Sequence, residues 1–171
     1  MQKLKARGGG VSVLGGWRWL TGSSTTNAPL AGPPFRTILN SGVRAGMSSD
    51  GMQISTMSPW INLYYVVTGK NARGVLINAG QQLSREEGLK LCTADSAWFL
   101  IAEDDLGSIE KGKFADLVVL SDDYFDPVKV PDEKIRDIRS VLTVVGGRIV
   151  HDEMEKRSPK YWDRKGRKDR D

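Results

Sequence analysis

The hydrophobic period of this chain changes at Gly107, and that change limits the fold more than any other feature. Before it, short apolar runs alternate with segments of helical spacing; after it, apolar residues recur at every second position. Val11-Ser12-Val13-Leu14, set between glycines on both sides, reads as a short strand. Residues 21–34 are mostly Ser, Thr, Asn, Gly and Pro and read as a loop. Phe35-Arg36-Thr37-Ile38-Leu39-Asn40 has helical spacing, with Pro34 where a helix start accepts it and Gly42 to end it. Residues 43–48 then run into Ser49-Asp50-Gly51. Strand, loop and short helix, then strand is the order of an α/β unit.

Two more helices follow. One is expected over residues 59–68, through Trp60, Leu63, Tyr64 and Val67. The next starts at Ser84, where Ser84-Arg85-Glu86-Glu87 spells a capping box: the hydroxyl takes one orphan amide while the glutamate reaches back to another. Leu89, Cys92, Ala97 and Leu100 fall close to one face and predict that this helix runs on toward Gly107. Beyond it, residues 106–109, a turn at Lys111-Gly112-Lys113 and residues 115–120 read as a hairpin. Residues 141–145, Gly146-Gly147 and Arg148-Ile149-Val150 read as a second, with a two-glycine turn of type I′ or II′. A short helix is expected between them at 131–138. There is no internal repeat.

At 171 residues the chain holds one ordinary domain, or a small domain plus a fragment. No run approaches the roughly 18 apolar residues of a membrane helix, and the basic start is followed by glycines where a signal peptide has an apolar core. The single cysteine, Cys92, rules out an intrachain disulfide and reads as a buried, inert thiol. The cytoplasm is the expected compartment. The net charge of +4 is concentrated: residues 156–171 hold eight basic and three acidic side chains, leaving the rest at −1. A terminal run of mixed sign reads as a solvated tail, and nucleic acid is not expected as a partner.

Three short features bear on chemistry. Gly107-Ser108-Ile109-Glu110-Lys111-Gly112-Lys113 nearly spells a phosphate-binding loop, but Phe114 replaces the hydroxyl needed for magnesium, and the segment leads into a strand where a P-loop leads into a helix. Asp50 ends an expected buried strand, the place where α/β folds carry chemistry, although an Asx-type turn before Gly51 is the first reading from the residues alone. His151, the sole histidine, has no second histidine to pair with and reads as a surface residue.

Leu106 through Leu120, with Lys111-Gly112-Lys113-Phe114-Ala115-Asp116 at its centre, resembles the signature of the accessory β domain in the amidohydrolase superfamily. Val144-Val145-Gly146-Gly147-Arg148-Ile149-Val150 is similar to the strand pair that follows it there. Residues 34–50 and Ser58-Pro59-Trp60-Ile61-Asn62-Leu63-Tyr64-Tyr65 resemble the last barrel strand and following helix of the amidohydrolase family 3 branch. The likeness runs from about residue 11 to residue 152.

The resemblance implies an α/β fold: residues 1–105 as the C-terminal end of a (β/α)8 metal-dependent hydrolase barrel, 106–152 as part of an accessory β-sandwich, and 153–171 as a basic tail. It puts Asp50 at the end of strand eight, where the family's aspartate binds the metal and takes a proton from the attacking water, and it sets Gln53, Trp60 and Asn62 at the mouth. It further implies a divalent metal, zinc first, and a small amide-type substrate in the complete enzyme. The family's His-x-His pair is absent, as are its other metal ligands, so this chain by itself is expected to bind no metal and to be inactive. Met1 is expected to mark an internal start, a truncated gene or one half of a split protein with a complementing chain. The alternative reading is a non-catalytic module that binds a partner.

Overall fold

The computed structural model describes residues 1–15, 32–52 and 55–154. A short helix, α1 (Gln2–Ala6), precedes strand β1 (Gly10–Leu14); helix α2 (Phe35–Asn40) and strand β2 (Arg44–Ser48) follow. β1 and β2 are parallel, in register from Gly10 opposite Arg44 to Leu14 opposite Ser48. Both carboxyl ends therefore lie at the same end of the pair.

Helix α3 (Pro59–Thr68) forms as its spacing predicts and ends at Gly69. It is buried on almost every side, because two cores meet on it. Tyr65 and Val66 pack with Val13, Phe35 and Ala45 in the first, and Trp60, Leu63 and Tyr64 pack with Tyr124, Val130 and Ile135 in the second. Leu63, Leu91 and Ile135 are at most 1% exposed, and each buried side chain of this kind stabilises the fold by about 1.5–3 kcal/mol.

Helix α4 (Arg85–Cys92) carries the expected capping box at Ser84. Glu87 then does a second job, accepting two hydrogen bonds of 2.6 and 2.7 Å from Arg36 of α2. The helix does not run on toward Gly107. It breaks at Thr93 and restarts as α5 (Ala94–Phe99), and Leu100 is 70% exposed. The break lets Trp98 and Phe99 turn onto the second face of the parallel pair. A Cβ on Gly46 would lie 2.8 Å from Phe99, and one on Gly10 would lie 2.7 Å from both rings. Covering that face outweighs two further turns of helix.

The first expected hairpin is also absent. Residues 106–109 form no strand, and β3 (Leu117–Leu120) pairs with β4 (Ser140–Val145). The reason lies in Lys113, whose amino group donates to the carbonyls of Glu103 and Leu106 and to the Ser108 hydroxyl. That draws the segment into a knot of turns. The second hairpin is as expected: β4 meets β5 (Arg148–Asp152) antiparallel. Gly146 and Gly147 both have positive φ, 55° and 75°, as a type I′ turn requires. Between β3 and β4 a 3-10 helix (Asp132–Asp137) packs against α3.

Arg85 joins the two halves. It is 8% exposed, and it donates to the carbonyls of Tyr124 (2.5 Å) and Val130 (2.6 Å) and to the Asp132 carboxylate (2.6 Å). The Tyr124 hydroxyl returns a hydrogen bond of 3.0 Å to the Arg85 carbonyl.

Candidate functional site

The carboxyl end of the parallel pair is tied by the Gly15 amide, which donates to the Ser48 carbonyl at 2.8 Å. Beyond it the chain turns through Ser49, Asp50 and Gly51. The turn is held by the hydroxyl of Ser49, which accepts from the Gly51 amide at 3.1 Å. The work of an Asx turn is thus done by the serine. Asp50 has φ 50°, a left-handed conformation that aspartate tolerates better than most residues. Its side chain is exposed, with no hydrogen-bond or ion-pair partner among the described residues.

The return path to α3 comes back over the same end. Gly51 bridges to Ser55, and the Ser58 amide donates to the Thr56 hydroxyl at 3.0 Å. Asn62, in the second turn of α3, has its Cβ 3.6 Å from where a Gly15 Cβ would stand. Ser55 and Asn62 are 7% and 4% exposed, and their Oγ and Oδ1 atoms are buried without a hydrogen-bond partner. Most buried polar atoms are paired, so one orphan in this connection and another in the helix it enters call for an account. Of the residues expected at the mouth, Gln53 lies outside the described residues. Trp60 faces the second core instead, its ring 6.4 Å from that of Tyr124. Asn62 adjoins the strand end, and only its unpaired Oδ1 marks it out; no spacing rule in the sequence finds that.

A metal centre does not fit the described residues. Asp50 stands alone, and no group of three or more His, Cys, Asp or Glu side chains among the described residues is placed to hold an ion. Catalytic zinc sites take about three protein ligands. His151 is exposed on β5, 3.7 Å from Glu153. Burial pushes the Cys92 thiol up to about 12, which keeps it protonated. The phosphate-loop look-alike is spent as well: the three donors of Lys113 are taken by its own loop, with Glu110 at 3.7 Å. Among the described residues, no helix is long and apolar enough to cross a membrane.

The model of the Amidohydrolase family matches residues 4–151. N-substituted formamide deformylase from Arthrobacter pascens is 30% identical over 114 residues, which is 67% of this chain and 20% of that protein. The chain thus spans about a fifth of that relative's length. Two solved structures share the fold at lower identity. A mutant of atrazine chlorohydrolase from Arthrobacter aurescens TC1, complexed with zinc and atraton, superposes with TM-score 0.61 at 22% identity, over 84% of this chain and 31% of that one. E. coli guanine deaminase gives 0.58 at 22%, over 88% and 35%. The match of the family model over most of the sequence places this chain in the amidohydrolase family.

Proposed function

We propose that this chain is the closing segment of an amidohydrolase barrel, residues 1–105, with an accessory β unit at 106–152 and a basic tail at 153–171. Asp50 is then its contribution to a site that hydrolyses carbon–nitrogen bonds other than peptide bonds, acting on small amides such as N-substituted formamides. The observation that carries this reading is the free, exposed carboxylate of Asp50 at the carboxyl end of a parallel strand, the end where barrels of this kind keep their chemistry. Since Ser49 holds the turn, the carboxylate is left to accept a proton from an attacking water. The relative solved with zinc supports a metal-dependent family. Because the described residues do not fit a metal centre, the remaining ligands are supplied by polypeptide outside this chain. A complementing chain is the simplest source.

The test uses the purified chain, alone and mixed with a family polypeptide that carries the His-x-His strand. Metal content and hydrolysis of a panel of N-formyl and N-acyl amines are measured in both. The chain alone is expected to hold no stoichiometric metal and to turn nothing over, while the mixture gains activity that Asp50→Asn lowers by about 100-fold or more. Stoichiometric zinc and turnover in the isolated chain would sink the need for completion, and an indifferent Asp50→Asn would sink the role of Asp50.

A second reading, a non-catalytic module that binds a partner, is favoured by the apolar residues open on the small sheet, with Val118, Val119, Ile149 and Val150 each 43–62% exposed. Persistent lack of turnover in the mixture, together with a stable complex, would favour it.

A further inference from the structure

Asp50-Gly51 is the one place in the chain where an aspartate or asparagine is followed by glycine. Such a pair is chemically labile. Glycine has no side chain to shield its backbone nitrogen, so that nitrogen can reach the carboxyl carbon of the preceding residue and close a succinimide ring.

Three features of the fold leave this pair open to the step. Asp50 is exposed, and its side chain has no hydrogen-bond or ion-pair partner among the described residues, so nothing there holds it away from the nitrogen. Its backbone is left-handed, at φ 50°, so the aspartate starts from a strained conformation. Packing also keeps the glycine in place: a Cβ on Gly51 would lie 2.7 Å from Met57 Cγ and 3.2 Å from Met57 Cα. A bulkier residue that would shield the nitrogen does not fit without movement of Met57. One contact opposes the step. The Gly51 N–H donates to the Ser49 hydroxyl at 3.1 Å, and the nitrogen must give up that bond before it attacks.

We propose that Asp50 is a site of isoaspartate formation, with Ser49 as the brake on it. The Gly51 nitrogen forms a bond to Asp50 Cγ; its proton, one proton from solvent and one carboxyl oxygen leave as water. The succinimide then takes up water at either carbonyl, and the C–N bond there breaks. Opening at Cγ restores aspartate, and opening at the main-chain carbonyl leaves isoaspartate. In both cases one proton of the water returns to the nitrogen and one to solvent. Isoaspartate carries the chain through Cβ and Cγ, so its carboxylate sits directly on Cα. On the hydrolase reading this withdraws Asp50 from its site. Only that consequence rests on the reading, and the conversion is tested without it.

The test holds the purified full chain at neutral pH, native or in urea, and follows the tryptic peptide 45–70 over weeks. Asp50 is the one aspartate in that peptide. Its isoaspartate is read as a second peak of equal mass that takes a labelled methyl group from S-adenosylmethionine through protein isoaspartyl methyltransferase. The succinimide is read as a species lighter by one water. Both are expected in the native chain. Conversion there should be about fivefold slower than in urea, the scale of one net hydrogen bond. Ser49→Ala should erase that difference and leave the rate in urea unchanged, while Asp50→Glu should form no such product. A native chain that stays unconverted after the chain in urea has converted would overturn the site. Equal native rates with and without Ser49→Ala would overturn the brake. If that variant fails to fold, the native and urea rates of the unsubstituted chain still decide, and equal rates there would overturn the brake as well.

Discussion

Single side chains in this molecule are set by what surrounds them more than by what they are. Cys92 is a thiol that burial has switched off, its pKa pushed up to about 12. At pH 8 its thiolate fraction is roughly three orders of magnitude below that of an ordinary thiol near 8.5. A thiol reagent at that pH is expected to leave the native chain unlabelled for hours and to react within minutes once urea is added; rapid native labelling would refute the burial. Glu87 is the opposite case. The hydrogen bonds from Arg36 hold its carboxyl below the usual range, with burial opposing them. A depressed carboxyl stabilises the fold above the unfolded pKa of about 4.3, and that contribution disappears as pH falls through the lower folded value. Both side chains are about a third exposed, so solvent screening limits the pair to about 1 kcal/mol. Urea midpoints measured from pH 6 down to pH 3 should fall in the wild type and fall less in Arg36→Met. Asp50 was legible as a residue of interest from its place after an apolar strand. What the sequence could not reveal is that Ser49 makes the turn, because Ser and Asp both serve in such turns and only geometry separates them.

At the scale of elements, the parallel pair shows how glycine can be demanded by a neighbour. Gly10 and Gly46 lie under the rings of Trp98 and Phe99, and any Cβ there meets an aromatic carbon at 2.7–2.8 Å. Gly46→Ala is expected to cost about 1–3 kcal/mol, as overpacking does, and Phe99→Ala in the same chain should recover part of it. A double-mutant cycle by chemical denaturation measures the coupling, and additive losses would show that the rings do not press on the strand. Local pattern was a good guide wherever the element is governed by its own residues. The helix Pro59–Thr68 follows from its proline, its spacing and Gly69, the cap at Ser84 from a four-residue motif, and the β4–β5 turn from Gly146-Gly147. It failed where a distant partner decides. Leu89, Cys92, Ala97 and Leu100 share a helical face, but the sheet draws Trp98 and Phe99 away and the helix breaks at Thr93. Residues 106–109 alternate like a strand, but Lys113 binds their neighbouring carbonyls and β3 finds β4 instead. Periodicity states which face is apolar and is silent on what will cover it.

For the whole molecule, β1 and β2 form a two-stranded parallel sheet, each strand of which has an unpaired edge among the described residues. Parallel sheets are ordinarily covered on both faces and flanked by further strands, and open edges are templates for association. The small sheet adds exposed Leu117, Val118, Ile149 and Val150. The isolated chain is therefore expected to self-associate at micromolar concentration, with sedimentation showing species heavier than the 18.9 kDa monomer and hydrogen exchange finding β1 and β2 poorly protected. A sharply melting monomer with protected strands would contradict this. The joint made by Arg85 has a different implication, one for descent. Two of its three partners are main-chain carbonyls, those of Tyr124 and Val130, and a main-chain carbonyl is present whatever residue occupies the position. The joint reads the path of the backbone at those two points and two side chains, the Asp132 carboxylate and the Tyr124 hydroxyl, at the others. Lineages that keep the length of the segment from Tyr124 to Asp132, and these two residues at its ends, can therefore exchange their β units by recombination and still close this contact.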